Sequence, residues 1–167
     1  MNNRHIKGFC LALSVLLVLH PFFTVGASES SAETQNMVLV SQTTEQISDD
    51  MYIEISVYEE SIVSRASEFE KDGVKTYRCR TQDGEIIWTF SVKGIFIVNQ
   101  GVSAVCTSSV SSHEIYNNNW HFSGSTCRAS GNQAIGDAEF IRKLLGITVE
   151  TETCHVVLTC DVNGNFS

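Results

Sequence analysis

The strongest constraint on this chain is a two-residue alternation of apolar and polar side chains that begins at Gly73. Between residues 86 and 98 the apolar side chains share one face: Ile86, Trp88, Phe90, Val92, Phe96 and Val98. Thr89, Ser91 and Lys93 face the other way. A period of two is typical of strands that are buried on one face. The pattern therefore predicts a sheet with a core side.

Glycines divide this region into segments of strand length. None lies between residues 28 and 72, whereas nine lie from Gly73 onward, most of them beside turn-forming neighbours. The predicted strands are residues 74–81, 86–98, 103–110, 114–122, 133–144 and 148–162. Residues 137–145 also fit a helical spacing, but Gly146 and the β-branched residues after it favour a hairpin at 144–147. Many short strands without alternating helices predict an all-β fold, an antiparallel β-sandwich of immunoglobulin-like architecture over residues 73–167.

Residues 28–72 have a different composition. They contain 11 Asp and Glu against Arg65 and Lys71, and they are rich in Ser, Thr and Gln. Such a segment buries too little apolar surface to offset its ordering entropy, so we expect a mostly disordered acidic leader. One candidate strand lies at residues 51–58, where Ile53, Ile55 and Val57 alternate with polar side chains.

Residues 1–27 have the three parts of a secretory signal peptide. Arg4 and Lys7 precede a short uncharged apolar run, and residues 25–27 (Val-Gly-Ala) provide small side chains for cleavage after Ala27. The run is shorter than the roughly 20 residues that cross a bilayer. We therefore expect a secreted, extracellular protein.

The charge of the remaining chain limits its partners. Without Arg4 and Lys7 the net charge falls from −8 to −10. Nucleic acids and anionic membranes both require a basic surface, so neither is an expected partner. No second long apolar run follows, which predicts no integral membrane span. An unidentified protein or glycan is the expected partner, with the chain as a monomer.

Five cysteines remain after the expected cleavage, and in an exported chain they are more readily bridged than metal-bound. Cys154 and Cys160 stand roughly 20 Å apart on one strand, beyond the roughly 7 Å limit for a bridge. Cys106 and Cys160 both lie on core-facing alternations, which favours a Cys106–Cys160 disulfide. Cys127 and Cys154 then form the second pair and leave Cys79. Pairings of Cys79 with Cys106 or Cys127 remain open, as does a dimer through Cys79.

The order Cys106, Trp120, Cys160 also matches the Cys…Trp…Cys order of immunoglobulin domains. Leu158 stands where the tyrosine of that fold would be, so the match predicts an inter-sheet bridge packed on a tryptophan and no common ancestry.

Candidate metal ligands lack the spacing of known sites. His113, Glu114 and His121 do not have a zinc-motif spacing. Asp161, Asn163 and Asn165 resemble the start of a calcium loop, but the glycine comes at the fourth position, where a tight turn is the better interpretation. We therefore expect no metal and no cofactor.

Candidate catalytic groups are equally unmarked. Asp137 and Glu139 would share one face of a strand, at a spacing that suits a carboxylate pair, although a solvated face is commoner. Tyr116, Trp120 and Phe122 are either a sugar-binding surface or core residues, and alternate positions on a strand favour the core.

Several segments together resemble a known group of proteins. They are residues 86–98 (IIWTFSVKGIFIV), 104–109 (AVCTSS), 114–122 (EIYNNNWHF), 130–134 (SGNQA), 144–147 (LLGI) and 158–167 (LTCDVNGNFS). The set resembles small secreted β-rich proteins of Gram-positive gut bacteria, over about residues 51–167. The resemblance implies a β-domain and an exported protein, and it implies no activity and no catalytic residue.

The sequence as a whole favours a non-catalytic binding or interaction module. Two alternatives remain. One is a small extracellular enzyme with a cryptic site, for instance at Cys79. The other is a toxin, inhibitor or signalling protein whose acidic leader is removed as a propeptide.

Overall fold

The computed structural model describes residues 37–61 and 66–167, and these residues form an all-β structure. Its strands are β1 (Met37–Gln46), β2 (Met51–Glu60), β3 (Glu68–Thr81), β4 (Ile86–Asn99), β5 (Ser103–Ile115), β6 (Trp120–Ser130), β7 (Gln133–Leu144) and β8 (Ile147–Thr159). They make two antiparallel sheets, β1-β2-β3-β4-β5 and β6-β7-β8. The predicted all-β antiparallel sandwich is confirmed.

Strand β4 lies at the centre of the core. Its buried side chains alternate as the sequence predicts, with Trp88, Phe90, Val92, Phe96 and Val98 all under 2% exposed. Strands β7 and β8 pack over it from the small sheet, and β8 also contacts β3. The two sheets therefore share one apolar layer, as a sandwich requires.

Two contacts show how closely the sheets approach. The Trp88 indole stacks on the Phe140 ring with centroids 4.1 Å apart and an angle of 6° between the planes. At Gly136 on β7 a side-chain Cβ would overlap the Val92 side chain of β4. Gly136 thus allows the backbone of β7 to lie directly against β4.

The C-terminal segment covers one end of the core. Phe166 packs edge-on against Phe96 at 5.2 Å and lies over Gly73, where an added Cβ would be 2.7 Å from the ring. The Lys71 ammonium holds this segment, because it pairs with Glu59 at 2.9 Å and donates to the Gly164 carbonyl at 2.9 Å.

The sheet begins earlier than the sequence predicts. Strand β1 and strand β2 lie within residues 28–72, which we expected to be a mostly disordered leader. The apolar residues 37–40 and the alternation of β2 pair with each other and then with β3, so 37–60 belongs to the large sheet. Strand β2 agrees with the candidate strand at 51–58.

Of the other predictions, one is confirmed and one is wrong. The hairpin at 144–147 is confirmed, whereas the predicted strand 114–122 is wrong, because residues 116–119 form the connection between β5 and β6. The expected signal peptide, residues 1–27, lies outside the described residues. In the part of the chain that the structure describes, no helix has the length and apolarity to cross a membrane.

Candidate functional site

Four connections meet at one end of the sandwich, which we call the turn end. They are the β1–β2 turn (47–50), the β3–β4 turn (82–85), the β5–β6 connection (116–119) and the β7–β8 turn (145–146). The Gln82 amide donates to the Asp50 carbonyl at 3.0 Å, and the Lys143 amide donates to the Asn119 carbonyl at 2.8 Å. The first bond joins two turns of the large sheet, and the second joins β7 to the β5–β6 connection.

A cleft of about 290 Å³ opens between these connections. Its walls carry carboxylates, amides and one guanidinium around a buried tryptophan: Asp50, Asp83, Asn117, Asn119, Arg142 and Trp120. Several of these groups are already engaged, because Arg142 pairs with Glu150 at 3.1 Å and Asn117 accepts the Asn119 amide at 3.0 Å. Arg142 and Asn117 are therefore held by contacts within the chain.

The β7–β8 turn is the most unusual feature of the turn end. Leu145 and Gly146 are its two central residues, with φ values of +52° and +80°. Positive φ at both positions defines a type I′ turn, which Asn-Gly or Asp-Gly normally occupies. Within residues 37–61 and 66–167, Leu145 is the one non-glycine residue with positive φ. A leucine in that region carries a steric cost of about 1–2 kcal/mol.

The same turn exposes a group of aliphatic side chains, which we call the aliphatic tip. Leu145 is fully exposed, and Leu144, Ile147 and Val149 are 50%, 69% and 52% exposed. Single exposed apolar residues are ordinary, but a contiguous group indicates an interaction surface. Leu145 thus has a strained backbone, and its exposed side chain gains no stabilisation from burial.

The turn end also carries acidic side chains. Asp49, Asp50, Asp83 and Glu85 are exposed on the two turns of the large sheet. On β8, burial and then the neighbouring Glu150 raise the pKa of the Glu152 carboxyl. The turn end therefore presents both an apolar projection, next to Arg142 and Lys143 of β7, and exposed carboxylates on the turns of the large sheet.

The five described cysteines are all free thiols in the structure, so neither Cys106–Cys160 nor Cys127–Cys154 is formed. Cys127 on β6 is opposite Gly136 and Cys154 on β8 is opposite Ala138, so strand β7 lies between them. Two strand spacings make about 9.6 Å, beyond the roughly 7 Å Cα limit for a bridge. The pairing predicted from the sequence was wrong because alternation along a strand gives no information on the order of strands in the sheet.

Cys106 and Cys160 lie on either side of the β6–β7 turn. The Cys106 amide donates to the Gly131 carbonyl at 2.7 Å, and the Cys160 amide donates to the Asn132 carbonyl at 3.0 Å. Trp120 lies at the other end of β6, roughly 33 Å along the strand. It therefore does not pack on this pair of cysteines as we expected.

The thiols are not prepared for nucleophilic chemistry. Burial raises the pKa of Cys79 and of Cys154 to about 12 and the pKa of Cys160 to about 11. A reactive cysteine needs the opposite shift and partial exposure. Cys79 is 0% exposed, so an interchain bridge through it would also require the core to open.

The candidate carboxylate pair faces solvent on the small sheet. Asp137 is opposite His155 and Glu139 is opposite Thr153, which confirms that the two acids share a face. His155 Nδ1 lies 2.5 Å from the Asp137 carboxylate, and this contact, with a smaller one from Arg128, lowers the pKa of Asp137. A glycosidase acid needs a raised pKa.

This histidine–carboxylate pair is not part of a nucleophilic triad. The nearby Thr126 hydroxyl donates to Asp137 at 3.5 Å, and no hydrogen bond joins it to His155. A triad requires the hydroxyl to bond to the imidazole.

The candidate metal ligands are dispersed. His113 stacks on Phe122 with ring centroids 3.6 Å apart, while Glu114 faces the opposite side of β5. Over residues 37–61 and 66–167, no group of three or more potential ligands is placed to hold a metal. The Asp161 carboxylate accepts the backbone amides of Asn163 and Asn165, each at 2.8 Å, so it closes a turn as the sequence predicts.

The aromatic residues do not form a sugar-binding platform. Trp120 is buried, Phe122 is half-buried under His113, and Tyr116 is exposed with its hydroxyl donating to Glu114.

A polar groove of about 260 Å³ next to Tyr116 crosses the outer face of the large sheet. Its Thr76 and Ser91 hydroxyls bond to each other at 2.9 Å, and its Arg78 pairs with Glu54.

Sequence reasoning found the 144–147 hairpin but missed its exposure. The sequence contains a sign of this exposure, because Leu145 and Gly146 of the Leu-Leu-Gly-Ile run occupy the two turn positions where Asn-Gly is expected. Comparison with known proteins gives no further information on function. No family model matches the chain, and neither a curated protein nor a solved structure matches it.

Proposed function

We propose that this chain is a secreted, non-catalytic binding module that engages a protein partner through the turn end. The observation that carries the proposal is Leu145, which is fully exposed at a positive φ among three further exposed aliphatic residues. Residues held in sparsely populated φ/ψ regions cluster at functional sites. Burial in a partner would recover the apolar contact that Leu145 lacks in the free chain.

The partner that fits this surface has an apolar pocket with basic groups at its rim. A convex aliphatic projection offers neither a hydrogen bond nor an aromatic face, so it suits a pocket better than a sugar. The exposed Asp49, Asp50, Asp83 and Glu85 give the turn end a negative charge that would favour the approach of a basic surface. These features favour a protein over a glycan as the ligand.

Export is part of the proposal, and it is supported by residues 1–27. Their basic start, short apolar run and small residues before Ser28 have the order of a cleaved signal peptide. The resemblance to small secreted β-rich proteins supports the same location. N-terminal sequencing of the protein from culture medium should give a start at Ser28, and retention of residues 1–27 in a cell-associated product would contradict export.

The two alternatives gain less support. An enzyme based on Cys79 conflicts with the burial of that thiol and its raised pKa. Removal of an acidic propeptide near Ala66 or Gly73 would also remove β1 and β2, and β2 contributes the buried Ile53 and Val57 to the core.

The test compares wild-type protein with Leu145→Asn in affinity capture from medium and cell surfaces, with chemical cross-linking. Asn suits the type I′ turn, so this variant removes the aliphatic side chain without straining the fold. We expect a captured protein that cross-links near residues 142–150 and is lost with Leu145→Asn. Val102→Asn, at a 70% exposed residue on the β4–β5 turn, is the matched control and should retain capture. Equal capture by Leu145→Asn would refute the proposal.

A further inference from the structure

The small sheet has an open edge along β8. This strand pairs with β7 on one side and is the last strand in the order β6-β7-β8. The backbone groups of Thr159 face the open edge, because they exchange two 3.0 Å hydrogen bonds with Ser167. The pairing of β8 with β7 is regular from residue 150 onward, so every second residue faces the same way. The amides and carbonyls of Thr151, Thr153 and His155 therefore also face the open edge.

Among the described residues, the contacts that cover this edge lie at its end away from the turn end. Ser167 bonds to Thr159, and the Lys75 ammonium donates to the Val157 carbonyl at 3.1 Å. The C-terminal residues run antiparallel to β8, as the bridge next to this pair also shows. They therefore occupy the first part of a fourth-strand position and leave it open beside residues 151–155.

The large sheet extends beyond this edge. Strand β8 packs on β3 and β4, while β6 and β7 pack on β4 and β5. Strand β1 and part of β2 therefore project past β8, and every residue of β1 after Met37 is exposed. Thr43, Ile55 and Tyr77 lie in one row across the inner side of β1, β2 and β3. We call the surface formed by this row and by residues 151–155 the β8 step.

Two carboxylates border the β8 step. Glu152 is opposite the core residue Phe140, and Glu45 is opposite the core residue Ile53, so both point to the inner side of their sheets. No ion pair or hydrogen bond joins either carboxylate to another described residue. Burial, and then the neighbouring Glu150, raise the pKa of Glu152. The β8 step therefore has unpaired acidic groups beside open backbone donors and acceptors.

We propose that the β8 step binds an extended basic segment of a partner protein, which pairs antiparallel with β8 as the fourth strand of the small sheet. The direction follows that of Ser167, which already pairs at this edge. In strand addition, main-chain hydrogen bonds give affinity and alternate side chains give specificity. A lysine or arginine opposite Glu152 would form a cross-strand ion pair.

Charge favours this partner over the chain itself. An inward-pointing charge on an edge deters pairing with a strand of like charge. A second copy that paired through the same edge would bring its own Glu152 to the step. Residues 28–36 (SESSAETQN) carry two glutamates and no basic residue. A basic segment neutralises these carboxylates instead, and its binding does not depend on the aliphatic tip.

The first test measures the binding of short synthetic peptides to the processed protein by fluorescence anisotropy. In the first peptide lysine alternates with threonine, and in the second glutamate replaces lysine. The third is the lysine peptide with a central proline, which keeps the charge and removes a backbone donor. We expect the lysine peptide to bind about tenfold more tightly than the other two. Equal binding of the proline peptide would show attraction by charge alone and would overturn strand addition.

Matched variants test the position of the carboxylate. Glu152→Gln should weaken binding of the lysine peptide about two- to fivefold, as expected for the loss of a cross-strand ion pair. Glu139→Gln removes the same charge from the solvent-facing side of the small sheet and should bind as the wild type does. Leu145→Asn should also bind normally, which separates this result from the test of the turn end. Equal losses for Glu152→Gln and Glu139→Gln would contradict the proposal.

Residue-resolved hydrogen exchange by NMR locates the added strand. With the lysine peptide, the amides of Thr151, Thr153 and His155 should become protected, whereas those of β1 should not. Unchanged exchange at these amides would place the peptide elsewhere and overturn the proposal. So would protection without peptide. Protection that rises with protein concentration would assign the edge to a second copy, and protection lost on deletion of residues 28–36 would assign it to that segment.

Discussion

The Trp88 indole and the Phe140 ring lie face to face across the core, 4.1 Å apart and 6° from parallel, and they join β4 of the large sheet to β7 of the small one. Phe90 and Phe122 also contact Phe140, at 6.5 Å and 5.7 Å between ring centroids. Phe140 is therefore the aromatic residue on which both sheets converge.

We expect Phe140→Ala to lower the free energy of unfolding by about 3–5 kcal/mol, because it removes a fully buried ring and leaves a cavity between the sheets. Chemical denaturation monitored by tryptophan fluorescence measures the change, since Trp88 reports on this contact directly. Val110→Ala, at an exposed residue on β5, should change stability by less than about 0.5 kcal/mol. A similar small loss for Phe140→Ala would contradict the packing of Phe140 between the two sheets.

Leu145→Asn should stabilise the isolated protein. Asparagine tolerates a positive φ and favours the type I′ turn, so the variant relieves a cost of about 1 kcal/mol that leucine imposes. We expect a melting temperature several degrees above the wild type by differential scanning calorimetry. A lower melting temperature would show that Leu145 is stabilised by contacts within the chain.

The cysteines should differ sharply in their reactivity towards a thiol reagent. Cys127 is half-exposed, whereas Cys79, Cys154 and Cys160 are buried and burial raises their pKa values to about 12, about 12 and about 11. In native reduced protein at pH 8, we expect alkylation at Cys127 first. The other three should react only on unfolding, as peptide mass spectrometry would reveal. Rapid native labelling of Cys79 would revive the cysteine-dependent enzyme.

Acid should weaken the turn at Asp161. Hydrogen bonds from the backbone and side chain of Asn165 lower the pKa of this carboxyl below its usual 3.8, so the ionised form is favoured in the folded state. Its contribution to stability is full above the unfolded pKa and is lost as pH falls through the folded pKa. Asp161→Asn keeps an acceptor oxygen but cannot ionise, so stability measured between pH 5 and pH 2 should fall less steeply than in the wild type.

The sequence predicts the core of the large sheet better than its edges. The alternation of β4 is visible in the sequence because its core-facing side chains and the small sheet that covers them are both apolar. No other periodicity fits this segment. Strand β1 is not readable in the same way, because an exposed edge strand has no buried face to reveal it. Its order depends on backbone pairing with β2.

The candidate site was harder to predict for a related reason. A run such as Leu144-Leu145-Gly146-Ile147 has the composition of a core segment, and only the turn geometry shows that it projects into solvent. The predicted cysteine pairs failed because alternation gives the face of a residue but not the order of strands. Strand β7 lies between Cys127 and Cys154, and that fact is contained in the sheet topology alone.

That topology also has a consequence for how the chain folds. In each sheet every strand pairs with its neighbour in sequence, so all the hydrogen-bonded contacts close short loops and the entropy lost on closure is small. Such a chain has a lower contact order than a Greek-key sandwich of the same size, and low contact order is associated with faster folding. We expect each meander to form quickly and the docking of β7 and β8 onto β4 to limit the rate of folding.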